Sequence, residues 1–212
     1  MRRRAACVLI LAAALSACDR TEAPVQALAS PEKAAVTPSF DCSRAESAAE
    51  VLVCSDAELA AADRRLDEVW RTMEQDLTDA DPAQLRAEQR GWVKGRDDCW
   101  KAEDVRDCVL YSYRSRTAEL EIHAGIVQPF AESRYRCEGE DAAVAISWYS
   151  DTEPLAARVS VGDDRSLTFL SPAASGARYA APGVVAWEHQ GALSLEWFGR
   201  ELRCEKLDDG AS

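Results

Sequence analysis

The spacing of apolar residues changes once along the chain, and the change divides it into two halves. Between Ser39 and His123 apolar positions recur every three or four residues, at Leu59, Ala62, Leu66, Val69, Trp70, Met73 and Leu77, which is one face of an amphipathic helix. Ser55 with Glu58 three residues on reads as a capping box at its start. Asp81-Pro82 is a second start signal, with Leu85, Trp92 and Val93 on one face, and a third segment runs from about Asp104 through Val105, Val109 and Leu120. Three helices joined by short turns predict a small antiparallel bundle with Trp70 and Trp92 in its core. From Arg134 to Leu207 the period is two. Candidate strands are Tyr135–Cys137, Ala142–Tyr149, Ala156–Val161, Ser166–Leu170, Arg178–Ala180, Val184–His189, Leu193–Trp197 and Leu202–Lys206, separated by Gly, Pro, Asp and Ser turns. Eight short strands fit a small antiparallel β-barrel, whose closure removes exposed edges. The expected fold class is therefore α+β in two domains: a disulfide-linked helical bundle over residues 39–123, a linker at 124–133, an eight-stranded barrel at 134–207 and a tail at 208–212. With 47% apolar letters in 212 residues, each half can form a core.

Residues 1–18 have a different character. Arg2, Arg3 and Arg4 precede an apolar run from Ala5 to Ala17, too short for a spanning helix and typical of an export signal. Leu15-Ser16-Ala17-Cys18 resembles a bacterial lipobox, where a signal peptidase cuts before a lipidated cysteine. Cys18 is then the mature N-terminus, and acyl chains such as palmitate anchor the protein to a membrane without spanning it. Asp19 resembles an inner-membrane retention signal of enteric bacteria, a rule that varies between bacterial groups, so inner and outer membrane both stay open. Residues 19–38 are rich in Ala, Pro, Thr and Ser, with Pro24, Pro31 and Pro38, and read as a disordered tether.

Export bears on the cysteines. Cys42, Cys54, Cys99 and Cys108 read as two disulfides; a metal site is disfavoured because no histidine is interspersed. Sequence proximity suggests Cys42–Cys54 and Cys99–Cys108, but a helical hairpin could equally cross-link them, so three connectivities remain. Cys137 and Cys204, on the first and last strands, would bond and staple the barrel, for about 2–4 kcal/mol. The net charge of −12 becomes −15 without the three N-terminal arginines. So acidic a chain argues against nucleic acid and favours a basic protein partner. The twenty acidic and twelve basic residues between Ser39 and Ile122 read as solvated helix faces. No serine elbow, zinc-binding helix or phosphate loop is present, so neither an enzyme nor a cofactor is expected. His123 reads as a helix cap, and Asp163-Asp164 as a turn.

Ser171 to His189 holds the densest candidate chemistry. Gly176 permits a sharp turn that places Ser175 at a tip, Arg178 offers planar donors to a carboxylate, and Tyr179 alternates with it as an inward anchor. The plain reading is an ordinary turn with a flanking arginine. Ser175-Gly176-Ala177-Arg178-Tyr179, with Trp187-Glu188-His189 beginning twelve residues after the serine, resembles the signature of the MliC family, membrane-bound inhibitors of c-type lysozyme. The resemblance covers the whole β half, including Tyr135-x-Cys137 and the cysteine after Gly199. It implies a barrel, a c-type lysozyme as partner, and a serine and a lysine fourteen residues later that enter the lysozyme cleft and bind its catalytic carboxylates. Ser175 stands at the serine position and His189 at the lysine position. A lysine is charged throughout, whereas an imidazole with a reference pKa of about 6.5 is only partly charged at neutrality; inhibition that strengthens toward pH 6 is therefore expected.

A second resemblance covers most of residues 40–121. Phe40-Asp41-Cys42, Cys54-Ser55-Asp56-Ala57-Glu58-Leu59-Ala60 with Asp63, Leu85-Arg86-x-x-Gln89-Arg90-x-Trp92, and Arg96-Asp97-x-Cys99 are similar to the LprI-type N-terminal domain, named for a lysozyme-inhibiting lipoprotein. Together the resemblances imply a lipid-anchored periplasmic lysozyme inhibitor that occludes its target's cleft. The alternative is a non-catalytic envelope module that binds peptidoglycan or a periplasmic partner.

Overall fold

The computed structural model describes residues 37–76 and 82–207. The export segment with Cys18, the tether up to residue 36, Leu77, Asp81 and the tail at 208–212 lie outside the described residues.

The helical half contains four α-helices where the periodicity predicts three: α1 (Ala48–Ser55), α2 (Ala57–Asp76), α3 (Pro82–Asp97) and α4 (Val105–His123). The unpredicted α1 is short and buries only Ala49 and Val53, too narrow a stripe to register as a period. The capping box belongs to it. Ser47 Oγ accepts from the Glu50 N–H at 3.2 Å, and the Glu50 carboxylate accepts from the Ser47 N–H at 3.1 Å. The box expected at Ser55 and Glu58 does not form: Ser55 ends α1 and its hydroxyl donates back to the Val51 carbonyl at 3.0 Å. Asp56 caps α2 instead, accepting from the Glu58 and Leu59 N–H groups at 2.8 and 3.1 Å. α3 starts at Pro82, and Asp104 caps α4 through the Asp107 N–H at 2.9 Å.

The bundle core is built from Val53, Leu59, Leu66, Val69, Val109, Tyr113 and Leu120, with Trp70 and Trp92 half-buried at its margin, not at its centre. Through this core runs a polar chain. Asp63 accepts from the Ser39 N–H at 2.6 Å and from the Tyr113 hydroxyl at 3.0 Å; Arg96 donates to the Tyr113 oxygen at 2.8 Å and to Asp97 at 2.7 Å; Ser47 donates to Asp97 at 3.0 Å. The Arg96 guanidinium also lies over the rings of Trp92 and Tyr113, 5.5 and 5.6 Å from their centroids. Such a chain is tolerable in a core because its polar groups are partnered. Cys42 is bonded to Cys54 and Cys99 to Cys108, the pairing that proximity suggests.

The β half is a closed barrel of eight antiparallel strands in sequence order: β1 (Ala131–Cys137), β2 (Val144–Tyr149), β3 (Ala156–Val161), β4 (Asp164–Ser171), β5 (Ala177–Ala181), β6 (Val184–His189), β7 (Ala192–Trp197) and β8 (Arg200–Lys206). β1 begins inside the expected linker because Ser133, a polar residue at an inward position, accepts from the Trp148 indole at 3.0 Å. β4 begins at Asp164, so only Asp163 of that pair stays in the turn. Cys137 lies directly opposite Cys204 in the β1–β8 ladder and is bonded to it. Inward residues Ile146, Val159, Val184, Leu193 and Leu195 fill the barrel.

The halves meet on the outside of the barrel. Ile122 and Val127 pack against Tyr149, Ala156, Leu167 and Phe169. Arg114 of α4 bridges Glu58 of α2 at 2.8 Å and Glu153 of the β2–β3 loop at 2.7 Å.

Two outcomes follow from the bundle. Tyr113→Phe removes the hydroxyl between two buried charges and should lower the unfolding free energy by about 1–3 kcal/mol in urea titration. Unchanged stability would show that the network contributes nothing. Hydrogen bonds from the Glu46 and Ser47 N–H groups hold the Glu50 carboxyl below the ordinary value of 4.5, and Arg106 holds Asp56 below 3.8. Carboxyls depressed in the folded state add stability that is complete above those values and is lost as pH falls through the lower folded ones. Thermal melts should therefore decline below about pH 4, and Glu50→Gln should make that decline shallower.

Candidate loop for partner binding at one barrel rim

Alternating antiparallel strands send the loops at 150–155, 172–176 and 190–191 to one end of the barrel and the remaining turns to the other. Ser175 and His189 therefore share a rim, although β5, one turn and most of β6 separate them in the chain. Gly176, next to Ser175, lies directly against the end of β6 at Glu188 and His189. Its φ is +70°, and a Cβ there would lie 2.3 Å from the Glu188 carbonyl oxygen and 3.1 Å from His189 Nδ1. Only glycine lets the loop backbone lie this close to the end of β6.

One further bond fixes this loop and another the neighbouring turn. The Trp187 indole N–H donates to the Ser175 carbonyl at 2.8 Å, leaving the Ser175 hydroxyl at the exposed tip. Glu188 accepts from the Gly191 N–H at 3.0 Å and so shapes the turn that follows His189. His189 itself is exposed and forms no ion pair among the described residues.

Arg178 and Tyr179 lie elsewhere. Arg178 is half-buried on the outer face of the sheet, between Ser171 and Trp187 in register, and donates to the Ser171 hydroxyl at 2.6 Å. That bond ties it to the last residue of β4. Tyr179 faces the barrel interior at 8% exposure, edge-on to Trp148 at 5.3 Å, and burial holds its phenol above the ordinary value. It belongs to the barrel core. The exposed rim thus offers a serine hydroxyl, an imidazole and the edge of Trp187, which is 42% exposed.

Trp187 was not among the expected site residues. Its place opposite Arg178 follows from strand alternation, but its bond to a backbone carbonyl has no sequence signal. Among the described residues no group of three or more His, Cys, Asp or Glu side chains could hold a metal ion, and no helix is long and apolar enough to cross a membrane.

Known proteins agree with this division. Residues 135–203 match the family described as membrane-bound lysozyme-inhibitor of c-type lysozyme, MliC, and residues 41–125 match the family described as lysozyme inhibitor LprI. Lipoprotein LprI of Mycobacterium bovis is 32% identical over 197 residues, which span 93% of this chain and 96% of the relative. Lipoprotein LprI of Mycobacterium tuberculosis H37Rv matches to the same extent. A crystal structure of Pseudomonas aeruginosa MliC in complex with hen egg white lysozyme is 23% identical, covers 36% of this chain and 81% of its own, and has a TM-score of 0.32. Inhibitors of this kind bind and do no chemistry, and this chain is such a binding protein, not an enzyme. It belongs to the LprI family, with an LprI-type helical domain followed by an MliC-type barrel.

Gly176→Ala should destabilise the barrel by more than about 1 kcal/mol, since the new methyl meets a backbone carbonyl and the positive φ adds strain. Trp187→Phe should cost about 0.5–1.5 kcal/mol for the lost hydrogen bond. Thermal denaturation reads both, and a neutral Gly176→Ala would mean that the loop does not lie against β6.

Proposed function

We propose that this protein is an inhibitor of c-type lysozyme, held at the cell envelope through an acylated Cys18 and facing the periplasm, that seats the Ser175 loop in the lysozyme cleft. The observation that carries this reading is the Gly176 cradle, which holds the Ser175 tip and His189 together on one exposed rim. Retaining glycosidases work through two carboxyl groups about 5–5.5 Å apart. A hydroxyl and a protonated imidazole side by side are suitable donors to such a pair, and an imidazolium adds a charge-assisted bond. A rigid loop loses little conformational freedom on docking, which favours affinity. Family membership supports the target class and the relatives' printed name supports the lipid anchor. The net charge of −12 suits a basic partner.

The test is a soluble form lacking residues 1–18, titrated into a c-type lysozyme lysis assay beside its variants. Inhibition at or below about 1 μM is expected, and Ser175→Ala should weaken it about tenfold, the size of one hydrogen bond to a charged group. His189→Lys makes the charge permanent and should tighten inhibition at neutral pH, whereas His189→Ala should weaken it. No inhibition by the parent protein, together with binding to wall material, would replace this reading with that of an envelope-binding module.

A further inference from the structure

α2 and α3 follow one another in the chain but barely touch, because each packs mainly on α4 and α1. A groove of about 470 Å³ runs between them, within the range of about 300–1,000 Å³ typical of small-molecule sites. Trp70 and Leu66 of α2 and Trp92 and Val93 of α3 line it, and both indoles are half-buried. The Trp92 N–H is engaged by the Ser112 carbonyl at 3.1 Å, whereas no hydrogen bond engages the Trp70 N–H among the described residues.

Most charges in the groove are already partnered. Asp67 pairs with Arg71 at 2.7 Å, Asp63 and Arg96 belong to the buried polar chain, and Glu74 faces Arg86 across the opening at 3.6 Å. Gln89 accepts from Arg116 through its oxygen at 3.0 Å, which leaves its NH2 group as a donor. Arg90 lines the same wall, is exposed, and has no ion-pair partner among the described residues. The groove therefore combines apolar indole surface, unengaged neutral donors and one surplus guanidinium.

That combination matches a sugar that carries a carboxylate. The C–H face of a pyranose packs on an indole, neutral N–H donors bind hydroxyl and acetamido oxygens, and a guanidinium takes a carboxylate in a two-pronged bond. We infer that the groove between α2 and α3 is a binding site for a carboxylated amino sugar of the cell-wall glycan, stacked on Trp70 and held by Arg90. The barrel rim contributes nothing to it. Held on the glycan, the protein would present its Ser175 loop where lysozyme works; that consequence, but not the site, rests on the proposed inhibition.

The test uses the soluble form lacking residues 1–18 and follows chemical shifts and tryptophan fluorescence as N-acetylmuramic acid, whose lactyl carboxylate is free, or the neutral sugar N-acetylglucosamine is added. Saturable binding of N-acetylmuramic acid is expected in the sub-millimolar range, with N-acetylglucosamine at least about tenfold weaker, the size of one lost charge-assisted bond. Arg90→Gln, a surface change, should weaken N-acetylmuramic acid about tenfold and leave N-acetylglucosamine unchanged; Trp70→Ala should weaken both. Circular dichroism confirms that the variants fold, and their undiminished lysozyme inhibition separates this site from the rim. No saturable binding up to about 10 mM, equal affinity for the two sugars, or indifference to both substitutions overturns the inference.

Discussion

Everything at the barrel rim depends on closure of the sheet. β1 pairs with β8, and the Cys137–Cys204 bond joins directly opposed residues of that last ladder. Closure removes free edges and fixes the register of every intervening pair. The register in turn sets Ser171, Arg178 and Trp187 in one outward row and turns Tyr179 inward. A slip of one residue between β5 and β6 would exchange the two faces, burying Arg178 and exposing Tyr179. The tip at Ser175 is thus positioned by the ladder beneath it, with Gly176 removing the side chain that would push it away from β6.

In the helical half the organising element is the buried chain through Asp63, Tyr113, Arg96 and Asp97. Its members come from α2, α3 and α4, with Ser47 joining it from the start of α1. Several letters that carry the LprI resemblance, Asp63, Trp92, Arg96 and Asp97, belong to this network or pack on it, and two others form the Cys42–Cys54 bridge. Their role is to specify the bundle. Arg90, from the same motif, is left outside the network. Arg114 and the apolar contact around Ile122 then tie this half to the outer face of the barrel, so the helices are more than a spacer.

Much of this was legible because the period of apolar residues follows directly from strand and helix geometry. β3 and β6 coincide with the ranges read from alternation alone, and Asp104 marks the start of α4 in both. The failures have local causes. α1 was missed because two buried residues do not make a period, and the box at Ser55 was misplaced because Asp56, one residue on, offers a better acceptor to the same amides. The start of β1 was hidden by Ser133, whose inward place makes sense only with the Trp148 indole beside it. At the rim, spacing could name Ser175 and His189 but not how closely Gly176 lies against His189, which the β5–β6 ladder brings about. Nor could it foresee that Arg178 turns toward Ser171, or that Trp187 holds a carbonyl.

Amide hydrogen exchange with and without a c-type lysozyme would address the central claim most directly, because it reports which surface the partner covers. The account predicts slowed exchange at residues 173–176 and 188–191, with little change at the far end of the barrel. Unchanged exchange at both loops, with protection confined to the helical half, would contradict it.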